Sequence, residues 1–240
     1  SGVQDLAATS MRFNWTANGN PAGTRYNVVS STAPDPLAPA GAAAVSSDTY
    51  NTWLSTAGLS VNTTYYFRVA GLNNNGVPTA YTQAYAMATN ALIPAAGAFG
   101  AVTSGGAVFN WTSGGNPAGT LYRAYASAAQ NPLDPQGLPA VSSDTYGLSY
   151  PADWLSPDTT YYFRVAAIGH NGAASEYTAA AATATLLAYA PSPAGFSSVA
   201  ASSLRFDWNS GGNADGTLYR VYSSTAADPL VPSGAAVISS

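Results

Sequence analysis

The chain has 240 residues, of which 47% are hydrophobic and only 8% are charged. Its formal net charge is −4 and it contains no Lys, so it lacks the basic stripe that nucleic-acid binding requires. Cysteine is absent, which excludes disulfides and thiolate chemistry, and no apolar run reaches the length of a membrane span. A surface made soluble by small polar residues is typical of a secreted or cell-surface structural protein.

Internal repeats predict the domain organisation. The motif F-N-W or F-D-W occurs three times, and its tryptophans, Trp15, Trp111 and Trp208, lie 96 and 97 positions apart. The segments N-P-A-G-T, V-S-S-D-T-Y and T-T-Y-Y-F-R-V-A recur in the same register. A repeat of this length is too long for a solenoid and about right for a small β-sandwich. We predict one repeat over residues 1–90, a second over 91–187, and the N-terminal part of a third over 188–240.

Each repeat is a succession of predicted strands. In the first, M-R-F-N-W is followed by the turn N-G-N-P-A-G and by the strand T-R-Y-N-V-V-S. The Pro-rich connection A-P-D-P-L-A-P-A-G is excluded as a central strand, because Pro donates no ladder hydrogen bond. T-Y-N-T-W-L, T-T-Y-Y-F-R-V and Y-T-Q-A-Y-A-M-A-T follow as further strands. No segment has a helical period with caps, so the chain is predicted to be all-β.

A polar corner precedes the most regular strand. L-S-V-N-T-T-Y-Y-F-R-V at residues 59–69 recurs as L-S-P-D-T-T-Y-Y-F-R-V at 155–165. Tyr65 and Tyr161 are predicted to turn into the core and to bond the corner backbone through their hydroxyls, which avoids an unpaired buried polar group.

The three motif tryptophans are predicted to be core residues. We expect Trp15 and Trp111 to face Tyr65 and Tyr161 across their sandwiches. Trp208 is the corresponding core tryptophan of the third copy.

The motif tryptophan, the tyrosine of the next strand and the L-x-P-x-T-x-Y corner together resemble the fibronectin type III domain. The strand pattern Y-x-F-x-V and the Asn/Gly loop after it add to the resemblance, which spans the whole chain. It implies tandem Greek-key β-sandwiches, the third one incomplete. The first copy departs from the pattern at Val61, where the family has Pro. The family's integrin-binding Arg-Gly-Asp tripeptide is absent, and the fold by itself does not specify a function.

The two ends of the chain suggest a longer protein. The third copy stops in register with Ser46–Ser47 of the first, just before another predicted strand. Half a sandwich exposes its core and its sheet edges, so we expect either that more chain follows Ser240 or that a neighbouring chain supplies strands. The start at Ser1 rather than Met likewise suggests a processed protein or an excerpt.

No catalytic or metal-binding constellation emerges from the sequence. His170, the only His, lies in a polar loop. Asp35, Asp134 and Asp228 flank prolines, but the acidic position moves between copies, which indicates Asx-type turns rather than a Ca²⁺ cage. No Cys/His cluster suits zinc, and no phosphate-binding loop is present. We predict that the chain is not an enzyme and takes no cofactor and no metal.

The sequons and the two unaligned tryptophans can each be interpreted in more than one way. The sequons at Asn14, Asn62 and Asn110 would accept glycans in a eukaryotic secretory pathway, and chance in an Asn- and Thr-rich chain is the preferred alternative. Trp53 and Trp154 do not align between copies, and Trp53 should point away from the core. Each is a candidate contact with a neighbouring domain or chain, or a sugar-stacking ring, and partial burial against a loop is the alternative.

One outward face is rich in Tyr and Arg. In a fibronectin-like sandwich the third and sixth strands are neighbours, and we call their outward residues the Tyr/Arg row: Arg123, Tyr125, Tyr162 and Arg164 in the second copy, Asn27, Val29, Tyr66 and Arg68 in the first, and Arg220 and Tyr222 in the third. Cross-strand packing explains the row structurally. An aromatic, hydrogen-bonding face is also a candidate partner surface.

These patterns predict a repeat segment of an extracellular, bacterial-type structural or adhesive protein that forms a surface stalk, layer or filament. Its partners would be other copies of itself or other surface proteins. The alternative is an accessory or carbohydrate-binding module of a secreted glycan-degrading enzyme, with polysaccharide as the partner. Many further copies after residue 240 would favour the first hypothesis, and a catalytic domain there would favour the second.

Overall fold

The structure is a computed structural model that describes residues 2–187, 190–213, 215–230 and 237–239. The predicted end of the third repeat at Ser240 lies outside these residues, as do Ala188 and Tyr189 beside the second predicted boundary. The regular secondary structure of the described residues consists of β-strands.

The first repeat forms two antiparallel sheets. Its strands are β1 Gly2–Gln4, β2 Ser10–Asn14, β3 Arg25–Ser31, β4 Ala44–Thr49, β5 Trp53–Ala57, β6 Thr64–Leu72 and β7 Tyr85–Ala88. One sheet has three strands in the order β1-β2-β5, and the other has four in the order β4-β3-β6-β7. This is the division into two sheets that a Greek-key sandwich requires.

The second repeat has the same pattern of strands. They are β8 Ala95–Gly100, β9 Ala107–Thr112, β10 Leu121–Ser127, β11 Ala140–Thr145, β12 Ser149–Ala152, β13 Thr160–Ile168 and β14 Ala181–Ala184. They pair in the orders β12-β9-β8 and β11-β10-β13-β14, which match those of the first repeat. In the third repeat, β15 Ser192–Ser197 pairs with β16 Arg205–Asn209, and β17 Tyr222–Ser224 with β18 Val237–Ser239.

The chain divides into two compact units. The first comprises Ser1–Ala101, Ala107–Ala152 and Tyr161–Thr183, and the second comprises Val102–Gly106, Asp153–Thr160 and Ala184–Ser240. The first unit thus holds the whole first sandwich and most strands of the second. The boundaries at residues 90 and 187 stay predictions.

The core of the first repeat is complete within its own two sheets. Alternate residues of β2, β3 and β6 turn inward because successive side chains of a strand point to opposite faces. The buried cluster consists of Met11, Phe13, Trp15, Tyr26, Val28, Phe67 and Val69. Phe13 and Phe67 stack across the sandwich with ring centroids 5.0 Å apart. Since every member lies between β1 and β7, this sandwich does not depend on the second repeat for its core.

The corner before β6 has the predicted tyrosine contact. The backbone N–H of Ser60 donates a 2.9 Å hydrogen bond to the hydroxyl oxygen of Tyr65. The Tyr65 ring is half-buried and packs against the core cluster. Tyr161, its counterpart, is buried. The contact satisfies a backbone donor at the corner and uses the phenol oxygen as its acceptor.

The expectation that Trp15 and Trp111 face Tyr65 and Tyr161 is wrong. Trp15 instead packs edge-on against Tyr26, with centroids 5.7 Å apart, and Trp111 lies 5.9 Å from Tyr122. The reason is the strand register: β3 runs antiparallel to β6, with Arg25 opposite Leu72 and Ser31 opposite Tyr66. Tyr26 and Tyr65 therefore sit at opposite ends of the sandwich, and the tryptophan lies at the Tyr26 end.

Burial of the motif tryptophans differs between copies. Trp15 and Trp111 are buried, whereas Trp208 is only half-buried. Trp208 contacts Phe206 and Tyr219, with centroids 6.0 and 5.9 Å away.

Two strand predictions differ from the structure. V-S-S-D-T, predicted only as a repeated segment and not as a strand of its own, forms most of β4 and β11, which pair with β3 and β10. These strands are largely exposed, so main-chain pairing holds them and no apolar alternation marks them in the sequence. The next strand begins at Trp53 rather than Tyr50, whose side chain is 69% exposed.

Candidate functional site

The first two repeats are joined through the side chain of Asn62. Asn62 lies at the corner before β6, with a main-chain φ of 45°, and it is completely buried. Its amide nitrogen donates a 2.9 Å hydrogen bond to Thr120 Oγ1, and its amide oxygen accepts a 2.7 Å bond from the backbone N–H of His170. Thr120 precedes β10 and His170 follows β13, so one side chain holds two loops of the second repeat.

A second set of hydrogen bonds ties the connecting segment to the same end of the second repeat. Asn116 Oδ1 accepts from the backbone N–H of Leu92, and Asn116 Nδ2 donates to the Leu92 carbonyl, both at 2.8 Å. Asn171 Nδ2 donates to Asn90 Oδ1 at 2.9 Å. The Asn116 amide thus pairs with the main chain as a neighbouring strand would, which fixes the path of the linker.

Close packing around Gly114 completes this junction. A Cβ on Gly114 would lie 2.2 Å from the carbonyl oxygen of Ile93 and 3.0 Å from Pro94 Cα, and the φ of Gly114 is +64°. Only glycine suits both that conformation and that approach of the linker. The first repeat has Asn18 at the corresponding position, also with positive φ.

The same contact recurs between the second and third repeats, within the second compact unit. Asp158 corresponds to Asn62 and Thr217 to Thr120. Asp158 also has a positive φ, 47°, and its Oδ2 accepts a 2.5 Å hydrogen bond from Thr217 Oγ1. An Asx corner therefore meets the threonine of the N-P-A-G-T or N-A-D-G-T loop twice along the chain.

Burial at the junction extends to the phenol of Tyr122. Desolvation raises the pKa of Tyr122, and hydrogen bonds with the side chains of Asn116 and Thr120 partly oppose that rise. The neutral phenol is thus part of the same polar network.

The structure brings the second-copy residues of the Tyr/Arg row together on one sheet face. Tyr125 lies directly opposite Arg164, and Tyr162 lies opposite Ser127. Arg123 holds Asp144 of β11 through two hydrogen bonds, Nε to Oδ1 at 2.7 Å and Nη2 to Oδ2 at 2.8 Å. All four predicted residues are half-buried.

The sequence did not indicate two further members of this surface, Asp144 and Tyr177. The ring of Tyr177 meets that of Tyr125 edge-on at 5.7 Å. Burial is the main cause that raises the pKa of Tyr177, and the neighbouring Tyr125 raises it further. The hydrogen bonds from Arg123 lower the pKa of Asp144, and the same contact raises the pKa of the guanidinium.

In the other copies the row has different partners. Asn27 replaces Arg123, donates to Asp48 Oδ1 at 2.7 Å and accepts from the Tyr81 hydroxyl at 2.7 Å. Arg68 Nε lies 3.5 Å from Asp35 Oδ1, which forms an ion pair. Tyr66 is half-buried. In the third copy Arg220 is exposed and precedes β17.

The remaining candidate residues are scattered. Trp53 is 42% exposed, with the Arg12 guanidinium 5.8 Å from its ring centroid, and Trp154 is half-buried. Asp35 and Asp228 accept hydrogen bonds from the backbone two residues later, as Asx turns do. In the described residues, no three His, Asp or Glu side chains converge as a metal site requires. Nor does that part of the chain contain a helix long and apolar enough to cross a bilayer.

Comparison with known proteins identifies the fold. No family model and no curated protein matches the chain. Among solved structures it is similar to a two-domain fibronectin type III segment of chicken tenascin, at 16% identity and a TM-score of 0.50, covering 77% of this chain and 97% of that one. The fold is that of tandem fibronectin type III domains. The FN1–FN3 domains of chicken CNTN1 also match, at 14% identity and a TM-score of 0.35, over 78% of this chain and 66% of that one.

Sequence reasoning missed the junction residues. The sequence pattern marks Asn62 only as a sequon and the N-P-A-G-T loop only as a turn. The available signal was the repetition itself: an Asn or Asp recurs at the corner, and a Thr closes each loop. Because Asn62 is completely buried, a glycan on it is incompatible with this junction.

Proposed function

We propose that the chain is a segment of a non-enzymatic, extracellular structural scaffold built from sandwiches that are fixed to one another end to end. The observation that carries this proposal is the complete burial of Asn62 between two loops of the next repeat. A buried amide left without partners costs about 1–3 kcal/mol, so the Asn62 bonds oppose separation of the first two repeats. A joint of this kind suits a protein that transmits force or sets a distance.

The Tyr/Arg row supplies a surface for lateral contacts in such a scaffold. Its second-copy residues are half-buried and aromatic or cationic, and they lie together on the β10–β13 face. Weak contacts through a patch that recurs along a chain add by multivalency. The partners that fit are other copies of the chain or other surface proteins.

Self-association tests the scaffold function. We expect the full chain to associate as its concentration rises in sedimentation velocity and light scattering. A Tyr125→Ser, Tyr162→Ser double variant should shift that association to higher concentration. Tyr146→Ser is the matched control, because Tyr146 is 70% exposed and lies outside the row. If the chain is monomeric at every concentration, the Tyr/Arg row does not mediate contacts between copies of the chain.

The second candidate is a carbohydrate-binding accessory module, favoured by the exposed ring of Trp53. Aromatic rings of this kind stack on sugars, and Arg12 would fix the ring in place. Co-sedimentation of the same purified chain with insoluble polysaccharides tests this. Binding that is lost in Trp53→Ala but retained in Trp154→Ala would favour the module over the scaffold.

A further inference from the structure

The first repeat carries the same loop that receives Asn62 in the second. N-P-A-G-T occurs at residues 20–24 and again at 116–120. In the first repeat this loop borders a cleft of about 490 Å³, whose lining also includes Tyr50, Gly71–Asn74 and Thr79.

The internal geometry of the two loops is the same. Asn20 Nδ2 donates to the Ala17 carbonyl at 2.8 Å, as Asn116 does to the Ser113 carbonyl at 2.7 Å. Thr24 Oγ1 donates to the Pro21 carbonyl at 2.8 Å, and Thr120 Oγ1 makes the equivalent bond to Pro117 at 2.8 Å. The first-repeat cleft is therefore preorganised in the way that accepts an Asx corner in the second.

The two loops differ in whether a corner covers them. Asn116 and Thr120 are 6% and 1% exposed, whereas Asn20 is exposed and Thr24 half-exposed. The Thr24 oxygen corresponds to the atom that accepts from Asn62, and the backbone N–H of Asn74 corresponds to that of His170. Both groups belong to residues of the cleft lining. Thr24 Oγ1 gives its hydrogen to the Pro21 carbonyl and so accepts from an Asn amide, whereas toward an Asp it would turn to donate, as Thr217 does to Asp158.

Asn18 bears on whether a corner bound in this cleft can have a linker on the path that the linker over Gly114 takes. The linker between the first two repeats passes over Gly114, and its Ile93 oxygen lies 2.2 Å from the point where a Cβ on Gly114 would lie. The corresponding residue of the first repeat is Asn18, which has a Cβ. A covalent linker on the same path would collide with it, so an occupant of this cleft has to reach it by another route, as a corner of a separate chain can.

Arg25 indicates the charge of the occupant. It lines the cleft at the position that Leu121 has in the second repeat. Its nearest anionic atom, Asp48 Oδ2, is 3.6 Å away and both side chains are over 40% exposed, so the pair leaves the cation accessible. A cation at this place favours the Asp corner, as in L-S-P-D-T-T, over the Asn corner.

We propose that this cleft is a docking site for the Asx corner of a fibronectin-type repeat in a separate polypeptide chain. The partner side chain would meet Thr24 Oγ1 and the Asn74 N–H, and an Asp at the corner would also face Arg25. The site is distinct from the Tyr/Arg row and does not depend on it.

The test uses the full chain as receptor and the first repeat, residues 1–91, as probe. The probe is suitable because its two sheets and core cluster are complete without the second repeat. Its own corner at Asn62 is uncovered once the second repeat is removed. Each probe carries Thr24→Val, so that its own cleft does not compete. Three corners are compared: Asn62, Asn62→Asp and Asn62→Ala, with circular dichroism confirming that each is folded.

We expect heteronuclear NMR titrations to show the Asp probe binding more tightly than the Asn probe, and the Ala probe at least about tenfold more weakly. Thr24→Val in the full chain should weaken binding to a similar extent. Thr9→Val, an exposed site outside the cleft lining, and Tyr125→Ser should leave it unchanged. Absence of shifts at Thr24 and Asn74 with about millimolar probe, or equal binding of all three corners, would overturn the proposal.

Discussion

The carbonyl oxygen of Ile93 stands 2.2 Å from the point where a Cβ on Gly114 would lie. Gly119 offers a matched control, because it has a φ of +83° with nothing within 4 Å of its Cβ position. We expect Gly119→Ala to cost about 1–2 kcal/mol, the strain of a left-handed Ala. Gly114→Ala should cost at least about 3 kcal/mol, because it adds a collision with the backbone. Urea unfolding of the full chain measures both.

Amide hydrogen exchange localises the effect of Gly114→Ala. The N–H of Leu92 is bonded to Asn116 and should exchange faster when the linker is displaced. Equal stability of the two alanine variants, with unchanged exchange at Leu92, would contradict the packing described for this junction.

The Asn62–Thr120 bond predicts an energetic coupling between repeats. In a double-mutant cycle with Asn62→Ala and Thr120→Val, we expect a coupling of about 0.5–3 kcal/mol, the range for residues in direct contact. Asn62→Asp should also cost stability at neutral pH, because Asn62 is completely buried whereas Asp158, at the same position of the second repeat, is exposed. Strict additivity of the two single variants in urea unfolding would show that this bond contributes no coupling between the repeats.

The core tryptophans predict unequal losses of stability. Trp111→Ala should cost about 3–5 kcal/mol, because it empties a buried aromatic site beside Phe109 and Tyr122. Trp208→Ala should cost clearly less, since Trp208 is only half-buried. Chemical denaturation followed by fluorescence separates the two. A loss below about 1 kcal/mol for Trp111→Ala would contradict its role in the core.

The Arg123–Asp144 pair predicts a specific pH dependence. Because hydrogen bonds from Arg123 lower the pKa of Asp144 in the folded chain, the pair stabilises the fold above the unfolded pKa, about 3.9. That stabilisation is lost as the pH falls through the folded pKa. The Asp144→Asn variant should therefore lose less stability than the natural chain when the pH falls from about 5 to about 2. The difference between the two losses should be small, as is typical of the free energy of an exposed ion pair. Urea midpoints measure this, with Asp134→Asn, an exposed loop residue, as the control.

The sequence by itself determined the sandwich fold. Alternation in M-R-F-N-W and T-Y-Y-F-R-V indicated which side chains turn inward, because a strand's period of two follows from its geometry. The spacing of the three tryptophans gave the repeat length, and the neighbouring strands placed Tyr125 and Arg164 on one face. It did not reveal β4, because an exposed strand held by main-chain bonds carries no apolar signal.

Only the tertiary structure decided which rings and loops meet. The antiparallel register of β3 and β6 placed Tyr26, rather than Tyr65, beside Trp15. Asn62 bonds residues 58 and 108 positions away, and contacts at such separations leave no periodic trace in the chain. Whether an Asn at a corner is a glycan acceptor or a buried joint depends on what covers it, and that is fixed by the packing of one repeat against the next.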